Sequence, residues 1–192
     1  MSSPVRYLTS EELEAGLEQI RQAPKTHGSL ELIVRRPAAG SREVLSRGVL
    51  DTAEGLAGDT WNVRESSRTP DGSPHPDMQL NVMSARVAAL VAQDTARWPL
   101  AGDQLFVDLD LSAENLPPGT RLALGTAVIE VTAEPHTGCG KFVERFGAAA
   151  MKFVNSPVGR SLRLRGVNAR VVVPGAIAVG DRVTKVPGGT RP

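Results

Sequence analysis

Short apolar segments separated by glycine and proline turns recur through the second half of this chain. They predict strands at 104–108, 121–124, 127–132, 166–173 and 181–186. Turn signals stand between them at Pro117-Pro118-Gly119, Gly125 and Pro174-Gly175. Strands this frequent favour a barrel over a sheet built from alternating strands and crossover helices. The predicted fold is mainly β within the α+β class: a barrel of short strands with flanking helices.

The first half of the chain adds three more strand signals and one long polar segment. Strands are predicted at 30–34, 44–50 and 78–83, and helices after Ser84 and after Cys139. The segment 62–77 contains three prolines and many charges. A loop of this length is usually a functional lid or disordered, and both interpretations stay open here.

The N-terminal segment carries the signals of an amphipathic helix. Thr9 and Glu12 have the spacing of a capping box, and a stripe of three apolar residues follows at helical spacing. We therefore expect residues 1–28 to form a helix and connector packed on the core. The barrel domain is expected at 29–186, and a flexible tail at 187–192.

Charge and cysteine content exclude several classes of protein. The net charge is +1, so no long-range field would gather phosphates, and we expect no nucleic-acid partner. The single cysteine, Cys139, excludes an internal disulfide and a four-cysteine zinc site. No apolar run approaches the ~20 residues of a membrane helix, and residues 1–7 lack the apolar stretch of a secretory signal. We therefore expect a cytoplasmic protein with no membrane partner.

The most informative segment surrounds that cysteine. Cys139 stands between two glycines, in a predicted turn between a strand and a helix. Free amides at the start of a helix stabilise a thiolate, and His136, Lys141 and Arg145 add positive charge nearby. A thiolate is both a nucleophile and a ligand for soft metals. The alternative is an inert, buried cysteine.

A second basic feature follows at Arg160, Arg163 and Arg165. Arg163 and Arg165 alternate with leucines, so a strand would place both guanidinium groups on one face. Together they could hold a phosphate through bidentate hydrogen bonds. A solvated strand face is the alternative interpretation.

Several motifs resemble, in the same order, those of the MOSC domain, named for the C-terminal part of molybdenum-cofactor sulfurases. The resemblance covers residues 29–186. Two positions differ from the family pattern: Trp61 replaces a common histidine, and His136-Thr137-Gly138 replaces Arg-x-Pro before the cysteine. The matching motifs are Gly58-Asp59, Glu114-Asn115-Leu116, the strand at 125–132, the turn with Cys139, the segment 165–171 and Gly180-Asp181.

The resemblance implies a β-barrel with flanking helices that binds the pterin molybdenum cofactor, molybdopterin, in a cleft. It implies that Cys139 carries sulfur or ligates molybdenum. The resemblance and the local charges together suggest a set of cofactor-binding residues: Asp59, Asn115, His136, Lys141, Arg145, Arg163 and Arg165.

These implications leave three functional hypotheses. The first is a molybdenum-cofactor protein that supports reduction of N-hydroxylated compounds, with Cys139 as metal ligand and a redox partner protein. The second is a non-catalytic sulfur or cofactor carrier with a persulfide on Cys139, supplied by a sulfur donor protein. The third is a module that binds a phosphorylated small molecule through Arg163 and Arg165. The chain has no room for the pyridoxal-phosphate domain of the sulfurases, so we do not expect it to mobilise sulfur from free cysteine alone.

Overall fold

The structure is a computed structural model that describes residues 6–187, so the predicted tail, apart from Pro187, lies outside the described residues. The strands are β1 (His27–Arg35), β2 (Glu43–Leu45), β3 (Arg47–Asp51), β4 (Gly55–Leu56), β5 (Leu80–Ser84), β6 (Leu105–Asp108), β7 (Arg121–Leu124), β8 (Ala127–Val131), β9 (Val167–Val173), β10 (Gly175–Ala178) and β11 (Arg182–Val186). The α-helices are α1 (Ser10–Ala15), α2 (Leu17–Arg21), α3 (Ala85–Ala92), α4 (Gly140–Asn155) and α5 (Pro157–Ser161), and the 3-10 helices are Trp61–Val63, Pro76–Met78 and Thr95–Ala101.

Seven of the strands in this part of the chain close into a barrel, as the turn pattern predicts. Their order is β1, β6, β5, β9, β8, β7 and β11, and β11 pairs back onto β1. Strand β1 makes this closure possible, because it pairs with β6 along one edge and its first residues pair with β11 along the other. The predicted mainly β barrel with flanking helices is confirmed.

A parallel pair of strands places helix α3 outside the barrel. β5 and β6 run parallel, and parallel neighbours need a crossover connection. Leu80 and Val82 of β5 are buried in the barrel interior, whereas Met83 packs among the helices. Side chains alternate along a strand, so both faces of β5 contribute to a core. The helical layer rests on the outer side of this pair.

The segment predicted as one strand at 44–50 forms two. Residues 43–45 join the barrel through β1, and residues 47–51 pair with β10 in a separate three-stranded sheet. The carbonyl of Ser46, between them, accepts a hydrogen bond from Val179. The pattern of side chains is continuous from residue 44 to residue 50. Only the change of pairing partner, from β1 to β10, shows that the segment forms two strands.

The N-terminal capping box is confirmed. Thr9 and Glu12 exchange both hydrogen bonds, and Leu13 is fully buried. The helix is divided at Gly16, where a Cβ would collide with Leu90 of α3. Glycine at this point lets the N-terminal segment pack directly on α3. Among residues 6–187, no helix combines the length and apolar character needed to cross a bilayer.

Candidate functional site

The loop between β8 and α4 presents the cysteine at the surface. Cys139 is exposed and is the N-cap residue of α4. Asn155, at the end of α4, accepts a hydrogen bond from the N–H of Gly138 (3.1 Å) and donates one to its carbonyl (3.4 Å). A Cβ on Gly138 would lie 2.6 Å from the sulfur of Met151, so glycine allows the close packing of this loop. The predicted turn is confirmed, and the buried-cysteine alternative is wrong.

A cleft of about 440 Å³ opens beside this loop. Two loops and the end of α4 form its walls, and Cys139 follows two residues after Thr137 in one of those loops. Three arginines and one histidine are among the residues that line it. The lining residues are 132–137, Val154, Asn155, Gly159, Arg160, Arg163 and 165–167.

A buried carboxylate organises one side of the cleft. Asp103 has no exposed surface. Its Oδ2 accepts a hydrogen bond from Nη1 of Arg165 at 2.7 Å, and its Oδ1 lies 2.8 Å from Nε2 of His136. Both partners come from distant parts of the chain, so the barrel brings the three residues together. A buried charge of this kind is tolerated only when its partners satisfy it.

The charges of this cluster determine the protonation of His136. Burial alone would raise the pKa of Asp103, but Arg165 and His136 outweigh that effect and hold it below its ordinary value. Burial, and then the charge of Arg165, lower the pKa of His136. His136 is therefore neutral at neutral pH, and its Nε2–H donates to the ionised Asp103. Its Nδ1 makes no hydrogen bond with any residue between 6 and 187, so it remains an acceptor.

Arg165 has a donor that the described part of the protein leaves unsatisfied. Its Nη1 and Nη2 bind Asp103 and the carbonyl of Ala101. Its Nε–H is buried and finds no partner among residues 6–187. The guanidinium also lies over the ring of Phe142, 5.2 Å from its centroid, which fixes its orientation. An unsatisfied buried donor costs about 1–3 kcal/mol, so an acceptor placed in the cleft would stabilise this arrangement.

The prediction that Arg163 and Arg165 lie on one face of a strand is wrong. Residues 157–161 form α5, and the next four residues form a turn in which Arg163 has a φ of 49°. The sequence signal for this helix is Ser156-Pro157, an N-cap residue followed by proline at the first helical position. Arg163 donates from Nη1 to the carbonyl of Leu116 at 2.6 Å. Both arginines nevertheless line the same cleft, together with Arg160.

A second buried ion pair supports the opposite side of the barrel opening. Arg36 donates from Nε and Nη2 to both oxygens of Asp59, at 2.9 and 2.8 Å. Arg36 also donates to the side chain of Asn81, which in turn donates to Asn168 at 2.6 Å. Asn168 donates to the carbonyl of Glu134 at the cleft. This chain of contacts links Asp59 to the cleft, while its predicted role in cofactor binding stays a prediction.

The remaining predicted residues differ in their relation to the cleft. Asn115 is buried outside it, and its side-chain amide donates to the carbonyls of Lys25 and Asp110. Lys141 is exposed in the first turn of α4. Arg145 donates from Nη1 to the carbonyl of Leu100 at 2.6 Å. None of these three lines the cleft, and Cys139 lies beside it without being one of its lining residues. Within residues 6–187, no group of three or more His, Cys, Asp or Glu side chains is placed to hold a metal ion.

The long segment 62–77 packs against one wall of the cleft. Arg68 donates to the carboxylate of Glu134 at 2.6 Å, and His75 lies 3.8 Å from the same carboxylate. The indole N–H of Trp61 donates to the carbonyl of His75 at 3.3 Å. Trp61, which replaces the family's common histidine, thus anchors the segment, and Glu134 connects it to the cleft.

Sequence reasoning missed three residues of this region, Arg36, Asp103 and Asn155, and it left Arg160 of the second basic feature out of the predicted cofactor-binding set. Arg160 lies in α5, whose start is signalled by Ser156-Pro157. Asp103 precedes a predicted strand and gave no local signal of its partners, which lie 33 and 62 residues away. Asn155 likewise reads as an ordinary polar residue at a helix end.

Comparison with known proteins supports the fold and the family. The MOSC domain profile matches residues 75–184. The structure is similar to the YuaD protein of Bacillus subtilis, with a TM-score of 0.62 at 19% identity, covering 82% of this chain and 94% of that one. It is also similar to YiiM from Escherichia coli, with a TM-score of 0.54 at 18% identity, covering 85% and 72%.

A structure described as a hypothetical protein matches with a TM-score of 0.57 at 18% identity, covering 88% of this chain and 71% of that one. No curated protein matches the sequence. At these identities the structural neighbours show the fold. The profile match spans more than half of the sequence, and the chain therefore belongs to the MOSC domain family.

Proposed function

We propose that this protein binds a pterin molybdenum cofactor in the cleft and supports reduction of N-hydroxylated compounds, with Cys139 as a metal ligand. Family membership suggests the cofactor. The observation that carries the proposal is the combination of an exposed thiol, in a loop fixed by Asn155, with an adjacent cleft lined by three arginines. Such a cofactor has a phosphate at one end and a dithiolene-bound metal at the other, so it needs both kinds of group.

The residues of the cleft and of the cysteine loop beside it fit these two ends. Arg160 is exposed and Arg163 uses Nη1 on Leu116, so both retain donors for a phosphate. Cys139 supplies the soft sulfur ligand that molybdenum accepts. Lys141, two residues beyond the cysteine, adds positive charge near the thiolate.

Reduction of an N–OH group breaks the N–O bond, consumes two electrons and two protons, and releases water. The cofactor, when bound, supplies a molybdenum centre able to deliver two electrons, which a redox partner protein would replace. His136 is the cleft residue suited to hold a proton. Its Nδ1 can accept one, and the carboxylate of Asp103 stabilises the imidazolium that forms. Arg165 disfavours that cation, so His136 would release the proton readily.

A sulfur carrier is the second candidate, and the exposure of Cys139 favours it. A persulfide on an exposed cysteine is accessible to a donor protein and to an acceptor protein. The cleft would then receive the acceptor molecule.

The test uses protein purified from a host that makes the cofactor. We expect molybdenum and pterin in equal amounts in the wild type. Cys139→Ser should retain pterin with a changed molybdenum coordination spectrum, and it should lose reduction of an N-hydroxylated substrate by a reduced viologen dye. A persulfide without molybdenum would support the carrier instead. Protein with neither pterin nor persulfide would overturn both candidates.

The phosphate-binding role of the cleft has a separate test. Arg160→Ala and Arg163→Ala each remove a charged donor worth about 1.5–3 kcal/mol, so binding of purified cofactor should weaken about 10- to 100-fold. Arg47→Ala, on the exposed surface of β3, is the matched control. If neither cleft substitution weakens binding beyond about twofold, which is below 0.5 kcal/mol, the phosphate does not lie here.

A further inference from the structure

Four successive backbone carbonyls at the end of the 3-10 helix Thr95–Ala101 each accept a hydrogen bond from a different arginine. Carbonyls at the end of a helix lack partners within the helix and carry the negative end of its dipole, so they attract cations. The four contacts are Arg42 Nε to Pro99 (3.2 Å), Arg145 Nη1 to Leu100 (2.6 Å), Arg165 Nη2 to Ala101 (2.9 Å) and Arg36 Nη1 to Gly102 (3.1 Å).

The four arginines divide into two kinds. Arg36 and Arg165 are neutralised by buried carboxylates. Arg42 and Arg145 have no carboxylate within 4.0 Å in the described part of the chain. Neutral carbonyls hold these two guanidinium groups in place without cancelling their charge. The protein thus keeps two fixed, half-buried cations side by side.

The distance of each of these two guanidinium groups from Gly102 shows that they lie close to each other. A Cβ built at that residue would lie 3.7 Å from Nη2 of Arg42 and 3.9 Å from Nη1 of Arg145. Both nitrogens therefore approach the same point from different elements. A tetrahedral anion can bridge such a pair, because its oxygens accept charge-assisted hydrogen bonds of about 2.7–2.9 Å in several directions.

The electrostatic surroundings agree with this geometry. Burial, and then the charges of Arg145, Arg36 and Arg64, lower the pKa of Arg42. Like charges that crowd together destabilise the protein unless an anion joins them. The carbonyl contacts also pre-order the side chains, which reduces the entropy lost when a ligand binds.

We infer that Arg42 and Arg145 form a second anion site, beyond the proposed cofactor cleft, that binds the phosphate group of a small molecule. Fixed guanidinium forks match the oxygens of a phosphate, whereas an extended polyanion would need a much larger basic surface than a chain of net charge +1 offers. The phosphate could belong to a phosphorylated substrate or to the far end of the cofactor. The chemistry of recognition is the same in both cases.

The first arm of the test measures binding of inorganic pyrophosphate to the full chain by calorimetry. Arg42→Gln and Arg145→Gln each keep an N–H for the backbone carbonyl while removing the charge. We expect each to weaken pyrophosphate binding about 10-fold or more. Arg47→Gln should bind as the wild type does. Thermal unfolding of each variant checks that it is folded. If the glutamine variants do not fold, Arg42→Lys and Arg145→Lys replace them in the measurement, because lysine retains the charge but not the planar fork of donors.

The second arm separates the two sources of phosphate. Pterin content is measured after purification from a host that makes the cofactor. Unchanged pterin in Arg42→Gln and Arg145→Gln assigns the site to a phosphorylated substrate, and lost pterin assigns it to the cofactor. The inference is overturned if both variants bind pyrophosphate as tightly as the wild type, or if Arg160→Ala alone removes the binding. Neither result depends on Cys139, so failure here is distinguishable from failure of the proposed function.

Discussion

At the scale of the residue, His136 is the ionisable group that the fold controls most strongly in the cleft. Its side chain is 13% exposed, and it faces Asp103 on one side and Arg165 on the other. The carboxylate favours the imidazolium, while burial and the guanidinium disfavour it. Because burial and the guanidinium together outweigh the carboxylate, the folded protein keeps the imidazole neutral, and its Nδ1 can accept a proton.

This balance predicts how stability changes with pH. Burial, followed by Arg165, holds the pKa of His136 below its ordinary 6.5. The unfolded chain therefore takes up this proton at a higher pH than the folded protein does. Stability from this group is complete above pH 6.5 and falls as the pH decreases below it, by up to about 1.4 kcal/mol per pH unit. Urea unfolding at pH 7.5 and 5.5 measures the difference.

His136→Gln provides the comparison, because its amide can still donate to Asp103 but does not titrate. We expect it to lose less free energy of unfolding than the wild type between pH 7.5 and 5.5. His27→Gln, at an exposed position on β1, should keep the wild-type dependence. Equal pH dependence in the wild type and His136→Gln would contradict this account of the imidazole.

At the scale of the element, the segment 62–77 has the contacts of a lid. None of its residues is buried, and it is attached to the cleft wall through Glu134 and, at its end, through Asp77, whose carbonyl accepts a hydrogen bond from Thr132. The pair between Arg68 and Glu134 is partly exposed, so it contributes no more than about 1 kcal/mol. A segment held this weakly can open locally while the barrel remains folded.

Limited trypsin digestion tests the lid. Cleavage should occur near Arg64 or Arg68, and bound cofactor should slow it by covering the cleft. Glu134→Gln weakens the attachment, so we expect cleavage about two- to fivefold faster, in proportion to the larger open population. Glu114→Gln, in an exposed turn elsewhere, is the matched control. Identical cleavage rates with and without cofactor would exclude a lid over the cleft.

At the scale of the whole molecule, the barrel depends on the point where its first and last strands meet. His27, Gly28 and Ser29 of β1 pair with residues 182–184 of β11. A Cβ at Gly28 would overlap the carbonyl oxygen of Asp108 on β6, which is backbone and cannot turn aside. Glycine is therefore required where three strands converge, and this residue controls closure.

Gly28→Ala should lower the free energy of unfolding by about 1–3 kcal/mol, because the strands must separate to accommodate the methyl group. Gly140→Ala is the matched comparison. Gly140 lies in the first turn of α4, and a Cβ at this residue would meet nothing within 4 Å. That substitution should change stability by less than about 1 kcal/mol. Equilibrium urea unfolding measures both, and an equal effect would show that Gly28 does not control closure.

Much of the fold follows from local patterns. The barrel strands of the second half, the capping box at Thr9 and the turn around Cys139 were predictable, because each depends on residues near one another in the chain. Strand β10 was missed, because its first residue belongs to the turn signal Pro174-Gly175. The strand expected at Arg163 and Arg165 was wrong. That prediction relied on the alternation of arginine and leucine over a few residues and overlooked the helix start at Ser156-Pro157. The division of the chain into 1–28, 29–186 and 187–192 stays a prediction.

By itself, the sequence determined the barrel class, the family motifs and the position of the one thiol at the start of a helix. Only the tertiary structure decided which charges meet: Asp103 with His136 and Arg165, and four arginines on the carbonyls of residues 99–102. Helix and turn signals depend on neighbours a few residues apart. Contacts across a barrel depend on strand register and on how the last strand returns to the first. A local pattern of side chains does not predict such contacts.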